Sequence, residues 1–362
     1  MYQLERAIFD LRRGVPVLLT AAEGDRLVRP VEGHHEGELS TLLECCGEGP
    51  RLVVTRHRLE ASGLEAPSDT VSLVLTESGE RLDPGRDELP AHDAAVPATS
   101  AECVALDMMR RGLLVPAAVV AAPRHGRRDE IARLVASGTL LTLDAAEAQR
   151  TLGRLSHEVV RVSDASVPLA DAEVTRFILF REMDGMREHL AIVIGQPDDW
   201  PEAVPIRLHS ACLTGDLFAS LLCDCGEQLR NAVTGIRELG GGVLLYLDQE
   251  GRGIGLANKL RAIGLQDTGL DTLDADGCLG FGHDERRYGA AVAMLRDLGV
   301  GRVQLLTNNP RKMAALMEAG IEVTKRQGIY GRVTPQNRAY LAAKAGRAGH
   351  WLEHILDQDD SA

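Results

Sequence analysis

The chain lacks the sequence features of a membrane or secreted protein. Its 362 residues contain no run of about eighteen apolar residues, so no transmembrane helix is expected. The first residues, from Met1 to Arg6, lead directly into an amphipathic pattern and lack the apolar core of a signal peptide. The seven cysteines are an odd number and do not indicate a disulfide framework. The sequence therefore predicts a cytoplasmic protein without a membrane partner.

The chain also lacks the surplus of basic residues that general nucleic-acid binding requires. It has 53 acidic and 40 basic side chains, which give a formal net charge of −13. Because nucleic-acid-binding proteins usually present a basic surface, no nucleic-acid partner is expected. A nucleotide substrate stays open, since a local group of arginine, lysine and backbone N–H groups is enough to bind phosphates.

The length and the apolar periodicity predict an α/β fold with two domains, residues 1–155 and 156–362. In the first domain, helices are predicted at 4–11, 101–111 and 129–137, and strands at 15–20, 51–55 and 71–75. In the second domain, strands are predicted at 190–195, 204–208, 243–247 and 303–306, and helices at 225–239, 285–298, 311–319 and 336–349. Residues 82–99 are rich in proline, aspartate and alanine, which predicts an exposed loop or linker.

Three cysteines carry the strongest chemical signal in the chain. Cys212, Cys223 and Cys225 have the spacing C-x10-C-x-C, and no fourth ligand is evident nearby. A structural zinc site usually has four protein ligands, whereas a catalytic one keeps a position for water. Three cysteines therefore favour a zinc ion that activates water. On spacing alone, the alternative is three core cysteines that bind no metal.

A glycine-rich motif follows the cysteines, and three further motifs come after it. Gly251, Gly253 and Gly255 would let the backbone approach phosphate oxygens closely. Their spacing fits neither a Rossmann fingerprint nor a Walker loop, so a flexible loop is the alternative. The four motifs span residues 246–259, 265–272, 279–286 and 305–312.

Of the last two motifs, the one at residues 279–286 has a simple alternative when it is taken alone. Asp284 and Arg286 would then form a helix cap and a surface ion pair. Residues 307–312 would place backbone amides at a helix N-terminus, which is a ready site for an anion.

Taken together and in this order, the motifs resemble the GTP cyclohydrolase II family over roughly residues 157–352. The resemblance implies a hydrolase that opens the guanine ring of GTP at C8, with release of formate and pyrophosphate, on the way to riboflavin. It implies one zinc ion per chain, held by Cys212, Cys223 and Cys225, and Mg²⁺ with the triphosphate. A homodimer that binds GTP or a related purine nucleotide is expected.

The resemblance also implies roles for individual residues. Asp284 matches the family's proton acceptor, and Arg286 matches an arginine that acts at the α-phosphorus. A guanidinium is a poor nucleophile at its ordinary pKa, which favours a clamping role for Arg286. The residues implied to contact the nucleotide are Arg207, Gln228, Glu250, Gly251, Arg252, Thr272, Thr307 and Lys312.

The chain departs from the family pattern at Ala211, Asp248 and Ile263, where the family usually has Glu, a non-acidic residue and Tyr. Isoleucine can neither donate nor accept a proton. Two alternatives therefore remain beside the ordinary enzyme. One is a paralogue that stops at the formamidopyrimidine nucleotide or acts on another purine, for example in pyrimidine catabolism or secondary metabolism. The other is a GTP-binding regulatory module without catalysis.

The opening of the chain, residues 4–19, is similar to the start of a 3,4-dihydroxy-2-butanone 4-phosphate synthase. The acidic run that binds magnesium in that family is reduced here to Glu23 and Asp25, and its later motifs are missing. The first domain is therefore expected to lack synthase activity. Structural support, dimerisation and regulation are the roles left open for it.

Overall fold

The computed structural model describes residues 2–32, 49–75, 89, 95–155, 157–347 and 349–352. Two compact units are present: Met1–Arg154 with Ala257–Glu285, and Leu155–Leu256 with Arg286–Ala362. The sequence predicts one domain boundary at residue 155, whereas Ala257–Glu285 packs with the first unit. None of the helices in the described ranges is long and apolar enough to cross a membrane.

A seven-stranded sheet forms the first unit, in the order β5-β4-β3-β6-β2-β1-β7. Neighbouring strands are antiparallel, except for the parallel pair of β1 and β7. The central strand β6 is buried along its whole length, as expected for a strand covered on both faces. The strands are β1 (Val17–Thr20), β2 (Arg26–Pro30), β3 (Arg51–Thr55), β4 (Thr70–Val74), β5 (Val96–Pro97), β6 (Ala117–Ala121) and β7 (Leu141–Asp144).

The helices follow from buried apolar stripes and from capping residues. In the first helix, buried residues at 4, 7, 8 and 11 form one apolar face. The third begins with a capping box between Thr99 and Glu102. In chain order, the α-helices within the described residues are α1 (Tyr2–Arg12), α2 (Arg56–Ala61), α3 (Ser100–Arg111), α4 (Arg128–Ala136), α5 (Ala145–Leu155), α6 (Leu213–Asp216), α7 (Cys225–Glu238), α8 (Leu256–Gln266), α9 (Thr272–Cys278), α10 (Gly289–Asp297), α11 (Pro310–Glu318) and α12 (Arg338–Gly346).

The second unit contains a mixed seven-stranded sheet in the order β14-β13-β11-β12-β10-β9-β8. One half, β8 to β10, is antiparallel, and the other half, β12, β11, β13 and β14, is parallel. The chain goes from β11 to β12 on one side and returns to β13 on the other. Open α/β sheets bind ligands at the carboxyl ends of strands where the order reverses in this way. The strands are β8 (Val159–Ser166), β9 (Thr175–Glu182), β10 (Glu188–Ile194), β11 (Val204–Ser210), β12 (Gly242–Leu247), β13 (Arg302–Leu306) and β14 (Glu322–Gln327).

Helices cover both faces of this second sheet. On one face, Ala232, Val233 and Ile236 of α7 pack against β10 and β12. On the other, α10 packs against the core with its own buried apolar residues. Gly242 opens β12 because a Cβ at this position would collide with the carbonyl group of Pro205. The unit is therefore a three-layer α/β/α structure built on a buried parallel core.

The predicted α/β class is confirmed, and most of the predicted elements are present with shifts of a few residues at their ends. One prediction is wrong: the helix expected at 285–298 begins only at Gly289. The Gln249 side chain donates a hydrogen bond to the Arg287 carbonyl, which ties the preceding backbone to the loop after β12. The predicted linker at 82–99 lies mostly outside the described residues, although Val96–Pro97 forms β5.

Candidate metal and nucleotide site

The fold brings the three predicted cysteines together. Cys212 follows β11, Cys223 lies in the next loop and Cys225 is the first residue of α7. All three sulfur atoms lie within 4.8 Å of one another, and Cys212 Sγ is 3.8 Å from Cys223 Sγ. No other group of three or more Cys, His, Asp or Glu side chains in the described part of the chain is this close. The cluster could hold a metal ion.

A glycine in α6 makes this convergence possible. A Cβ on Gly215 would lie 2.7 Å from Cys223 Sγ, 3.0 Å from Cys225 Cβ and 3.2 Å from Cys212 Sγ. A Cβ on Gly226 would in turn collide with the Gly215 carbonyl oxygen. The two cysteine-bearing segments therefore pack backbone against backbone, with the sulfurs between them.

The electrostatics of the cluster fit a soft divalent cation. The neighbouring Cys212 thiol is the largest cause that raises the pKa of Cys225 and of Cys223. Three thiolates cannot form at this spacing without a compensating positive charge. A thiophilic cation supplies that charge and deprotonates its ligands on binding. Three sulfur donors in this arrangement are therefore suited to zinc.

A buried carboxylate fixes the backbone of Cys212. Asp216 Oδ2 accepts hydrogen bonds from Cys212 N and from the Tyr246 hydroxyl, both at 2.9 Å. His209 Nε2 lies 3.1 Å from Asp216 Oδ1, and its ring stacks on Tyr246. Burial lowers the pKa of His209, so the neutral ring donates to the carboxylate. His209 thus contacts Asp216 and is not part of the sulfur cluster.

Arg207 on β11 is a buried cation with fixed partners. Its Nη1 donates to the Leu306 carbonyl at 2.9 Å, and its Nη2 donates to Gln228 Oε1 at 2.6 Å. Burial lowers its pKa to about 10, with the charge of Arg286 as a smaller cause, so it stays charged at neutral pH. Among the residues that the structure describes, its Nε has no hydrogen-bond partner, which leaves a donor for a ligand.

Gln228 links this cation to the cysteine loop. Its Nε2 donates to Asp224 Oδ2, and Asp224 is the buried residue between Cys223 and Cys225. The other oxygen, Oδ1, lies 3.9 Å from Lys344 Nζ of α12. Arg207 is therefore connected to α12 through Gln228 and Asp224, and Asp224 lies between two of the cysteines.

The glycine motif after β12 forms a strained turn, Glu250–Gly253. Gly251 has a φ of 63°, and Arg252 has a φ of 62°, a left-handed conformation that is unfavourable for a residue with a side chain. Such strain is concentrated at functional sites. The Glu250 carboxylate accepts a hydrogen bond from Leu213 N, so the turn is connected to the segment that follows Cys212.

The fourth motif lies at the carboxyl end of β13. Thr307 is fully buried, and its hydroxyl accepts a hydrogen bond from Asn309 N. Asn309 caps α11 by accepting from Arg311 N. Lys312 is buried, and its Nζ donates to the Leu208 carbonyl of β11 at 2.6 Å. Lys312 and Arg207 are thus both tied to carbonyls of the parallel strands.

The remaining predicted site residues divide between the two units. Arg286 belongs to the second unit, and Thr272 and Asp284 belong to Ala257–Glu285 of the first. Thr272 begins α9, and Asp284 lies in the segment after that helix. The contributions of Asp216 and Tyr246 were not predicted, although Asp216 stands four residues after Cys212.

The departures from the family pattern also have defined positions. Asp248 N donates to Nδ1 of the buried His189 at 3.1 Å, and His189 Nε2 lies 3.2 Å from Glu182 Oε1. Ala211 N donates to the Leu247 carbonyl at 2.8 Å. Ala211 and Asp248 therefore follow the carboxyl ends of β11 and β12. Ile263 is half-buried in α8 and belongs to the first unit.

Thiols beside fixed cations, at the carboxyl ends of parallel strands, are suited to a metal-dependent hydrolase that acts on an anionic substrate. The family model described as GTP cyclohydrolase II matches residues 160–328. The GTP cyclohydrolase-2 of Xylella fastidiosa strain 9a5c is 45% identical over 352 residues, which are 96% of this chain and 87% of that protein. The corresponding protein of Azospirillum brasilense is 42% identical over 365 residues, 97% of this chain and 94% of that protein. This chain belongs to the GTP cyclohydrolase II family and is a hydrolase, as its motifs predicted.

Two further similarities bear on the rest of the chain. The GTP cyclohydrolase-2 of Azotobacter vinelandii is 49% identical over 194 residues, which are 92% of that protein but only 54% of this chain. A member of the family can therefore lack counterparts for nearly half of this chain. A solved two-domain 3,4-dihydroxy-2-butanone 4-phosphate synthase from A. baumannii aligns with a TM-score of 0.34 and 16% identity, over 91% of this chain and 99% of that chain. This similarity is too low to establish a shared fold.

Proposed function

We propose that this protein is a zinc-dependent GTP cyclohydrolase II that opens the guanine imidazole ring at C8, releases formate and pyrophosphate, and serves riboflavin synthesis. The observation that carries the proposal is the cluster of Cys212, Cys223 and Cys225, with sulfurs within 4.8 Å, in a chain of this family. These three residues would hold one zinc ion. When bound, zinc supplies Lewis-acid activation of water.

The cations of the second unit are suited to the triphosphate. Arg207 and Lys312 are held in place by the Leu306 and Leu208 carbonyls, so they need little reorganisation to bind an anion. The Nε–H of Arg207 has no acceptor among the described residues, and the capped N-terminus of α11 adds backbone N–H groups. Arg286 would clamp the phosphates as pyrophosphate leaves. Mg²⁺ would enter with the triphosphate oxygens, which are ligands that it prefers.

Asp284 would accept a proton, and Gln228, Glu250, Gly251, Arg252, Thr272 and Thr307 would contact the nucleotide. The left-handed turn at Gly251 and Arg252 supports a close approach of backbone to ligand. The Glu250 carboxylate holds Leu213 N, so its role includes the position of the segment after Cys212. Glu250 and Thr307 are buried, so the structure holds these two polar groups in place before a substrate binds.

Incubation of the protein with GTP and Mg²⁺, followed by mass analysis of all products, tests the substrate and the reaction. Formate, pyrophosphate and a ring-opened diaminopyrimidine nucleotide are the expected products. Intact GTP after prolonged incubation with the zinc-loaded protein would contradict the proposal. Triphosphates with other purine bases extend the test, because Ala211 and Asp248 could change which purine the site recognises.

A second candidate rests on Ile263. Family members use a tyrosine at the matching position, and a general acid typically contributes roughly 10²–10⁴ in rate. Without that hydroxyl, ring opening could proceed while the release of formate is slow. The ratio of formate to ring-opened product in the wild-type reaction separates the two candidates. The regulatory alternative would show a rise in melting temperature with GTP but no product.

The first domain would not act as a synthase. The Glu23 carboxylate accepts hydrogen bonds from the Ser100 hydroxyl and from Ala101 N, so it binds the N-terminal end of α3. A helix-capping role accounts for this carboxylate without a metal. Absence of butanone phosphate after incubation with ribulose 5-phosphate and Mg²⁺ is the expected result. The predicted homodimer is tested separately by light scattering, which gives the mass in solution.

A further inference from the structure

The segment Ala257–Glu285 carries two of the predicted site residues and packs within the first unit. Helix α9, which Thr272 begins, lies against α2. In this unit, its partners come from the N-terminal half of the chain, in which the later synthase motifs are missing.

Arg58 and Thr55 bind the backbone just before Asp284. The buried Arg58 side chain donates a hydrogen bond to the Cys278 carbonyl, at the C-terminal end of α9, where a cation is favourable. Thr55 caps α2 by accepting from Arg58 N, and its hydroxyl donates to the Gly280 carbonyl at 2.7 Å. The two side chains thus hold successive parts of the turn that leads to Asp284.

Gly280 packs closely against Thr55 and Pro116 of the N-terminal half. Gly280 has a φ of 86°, and a Cβ there would lie 3.1 Å from Thr55 Oγ1 and 3.4 Å from Pro116 Cγ. A glycine is therefore required by backbone conformation and by space together. If the N-terminal half packed only loosely against this turn, a side chain at position 280 would have room.

The N-terminal half also contacts both ends of the segment. Asn258 is fully buried near its beginning, and its Nδ2 donates to the Leu113 carbonyl at 2.9 Å. Arg261 Nη2 lies 2.7 Å from Glu32 Oε2. At the other end, Arg110 Nε lies 3.9 Å from Glu285 Oε2. The contacts are spread along the segment and are not confined to one patch.

We propose that residues Met1–Arg154 serve as an intramolecular support that holds Ala257–Glu285 in the conformation the reaction needs, with Thr55 and Arg58 as positioning residues for Asp284. The proposal rests on the proposed function, since that function makes Asp284 a site residue. It gives a role to a domain that is not expected to act as a synthase. The dependence would be specific to chains that contain both parts, because the Azotobacter vinelandii relative lacks counterparts for nearly half of this one.

The test uses full-length Arg58→Met and Thr55→Val, which remove the donors while keeping most of the side-chain volume. Arg56→Met is the matched control, because Arg56 lies in the same helix but pairs with the exposed Asp69. We expect kcat for GTP to fall about 10- to 100-fold in the two variants, through misplacement of Asp284, with KM changed far less. Zinc content, which reports on the second unit, should stay at that of the wild type.

Arg58→Lys, which retains a donor, should restore part of kcat, and Arg56→Met should match the wild type. Unchanged kcat in both Arg58→Met and Thr55→Val would overturn the proposal. If Arg58→Met fails to fold, Thr55→Val decides, because it changes one hydroxyl only.

Two measurements separate this proposal from the proposed function. Full activity in Asp284→Asn would refute the role of Asp284 and leave the support without its functional purpose. Hydrogen exchange of residues 272–285 reports on the support even without turnover. Faster exchange there in Arg58→Met, with unchanged exchange at 212–225, is expected, and equal exchange in wild type and variant would refute the support.

Discussion

Replacement of Gly215 by alanine should weaken zinc binding without removing any ligand. The added Cβ would lie 2.7 Å from Cys223 Sγ and 3.2 Å from Cys212 Sγ, well inside van der Waals contact. Gly215 lies in α6 and its φ is not positive, so the backbone itself accepts alanine. In the metal-free protein, we expect Cys223 to move away from the added methyl group with its loop. In the metal-bound protein the sulfurs must converge, so the strain falls mainly on the bound state.

The magnitude follows from the cost of overpacking. An extra methyl group in a well-packed site typically costs about 1–3 kcal/mol. Since about 1.4 kcal/mol corresponds to a factor of ten, the zinc dissociation constant should rise about 5- to 140-fold. The loss of any one of the three cysteines should have a larger effect, because it removes a ligand.

Competition with a chromophoric chelator measures this constant directly. Gly235→Ala is the matched control, because Gly235 lies in α7, which also carries Cys225, and a Cβ there meets Leu306 Cδ2 at an ordinary 3.6 Å. The control should bind zinc as the wild type does and be more stable by about 0.5–1 kcal/mol, as is usual for Gly→Ala within a helix. Equal zinc affinity in Gly215→Ala and wild type would refute the convergence of the three sulfurs on one metal.

Three further predictions concern a zinc ligand, a lysine near the cysteine loop and the residue at position 263. Cys223→Ala should lose stoichiometric zinc in metal analysis, whereas Cys103→Ala, a free cysteine in α3, should retain it; equal zinc in both would sink the ligand assignment. Lys344→Met removes the ammonium 3.9 Å from Asp224 Oδ1 and should weaken zinc binding several-fold in the chelator assay, while Lys325→Met on β14 should have no effect. Ile263→Tyr should raise the ratio of formate to ring-opened product if the missing hydroxyl limits the wild type; a ratio of one in the wild type would remove that explanation.

The site could be predicted from the sequence where residues are close in the chain or match a motif. The spacing of Cys212, Cys223 and Cys225 was enough to predict a shared cluster, because a strand end, a short loop and a helix start bring them together. Asp216 could not be recognised in the same way. A lone aspartate after glycine is usually solvated, and only the fold shows that three donors converge on it.

Long-range packing was the part of the fold that local patterns could not predict. Strand β8 is mostly exposed and has no alternating apolar pattern, so it was missed. The hydrogen bond between Thr55 and Gly280 joins residues 225 positions apart, and no local periodicity indicates it. A motif search assigns Ala257–Glu285 to the cyclohydrolase part of the chain, and its packing with the N-terminal half appears only in three dimensions.

Zinc titration of the metal-free protein, with formate release from GTP as the readout, tests the central claim most directly. The account predicts that formate release is absent without metal, rises in proportion to added zinc and becomes constant at one zinc per chain. The same titration of Cys223→Ala should show no such rise. Formate release that is independent of zinc, or that is equal in wild type and Cys223→Ala, would contradict the account.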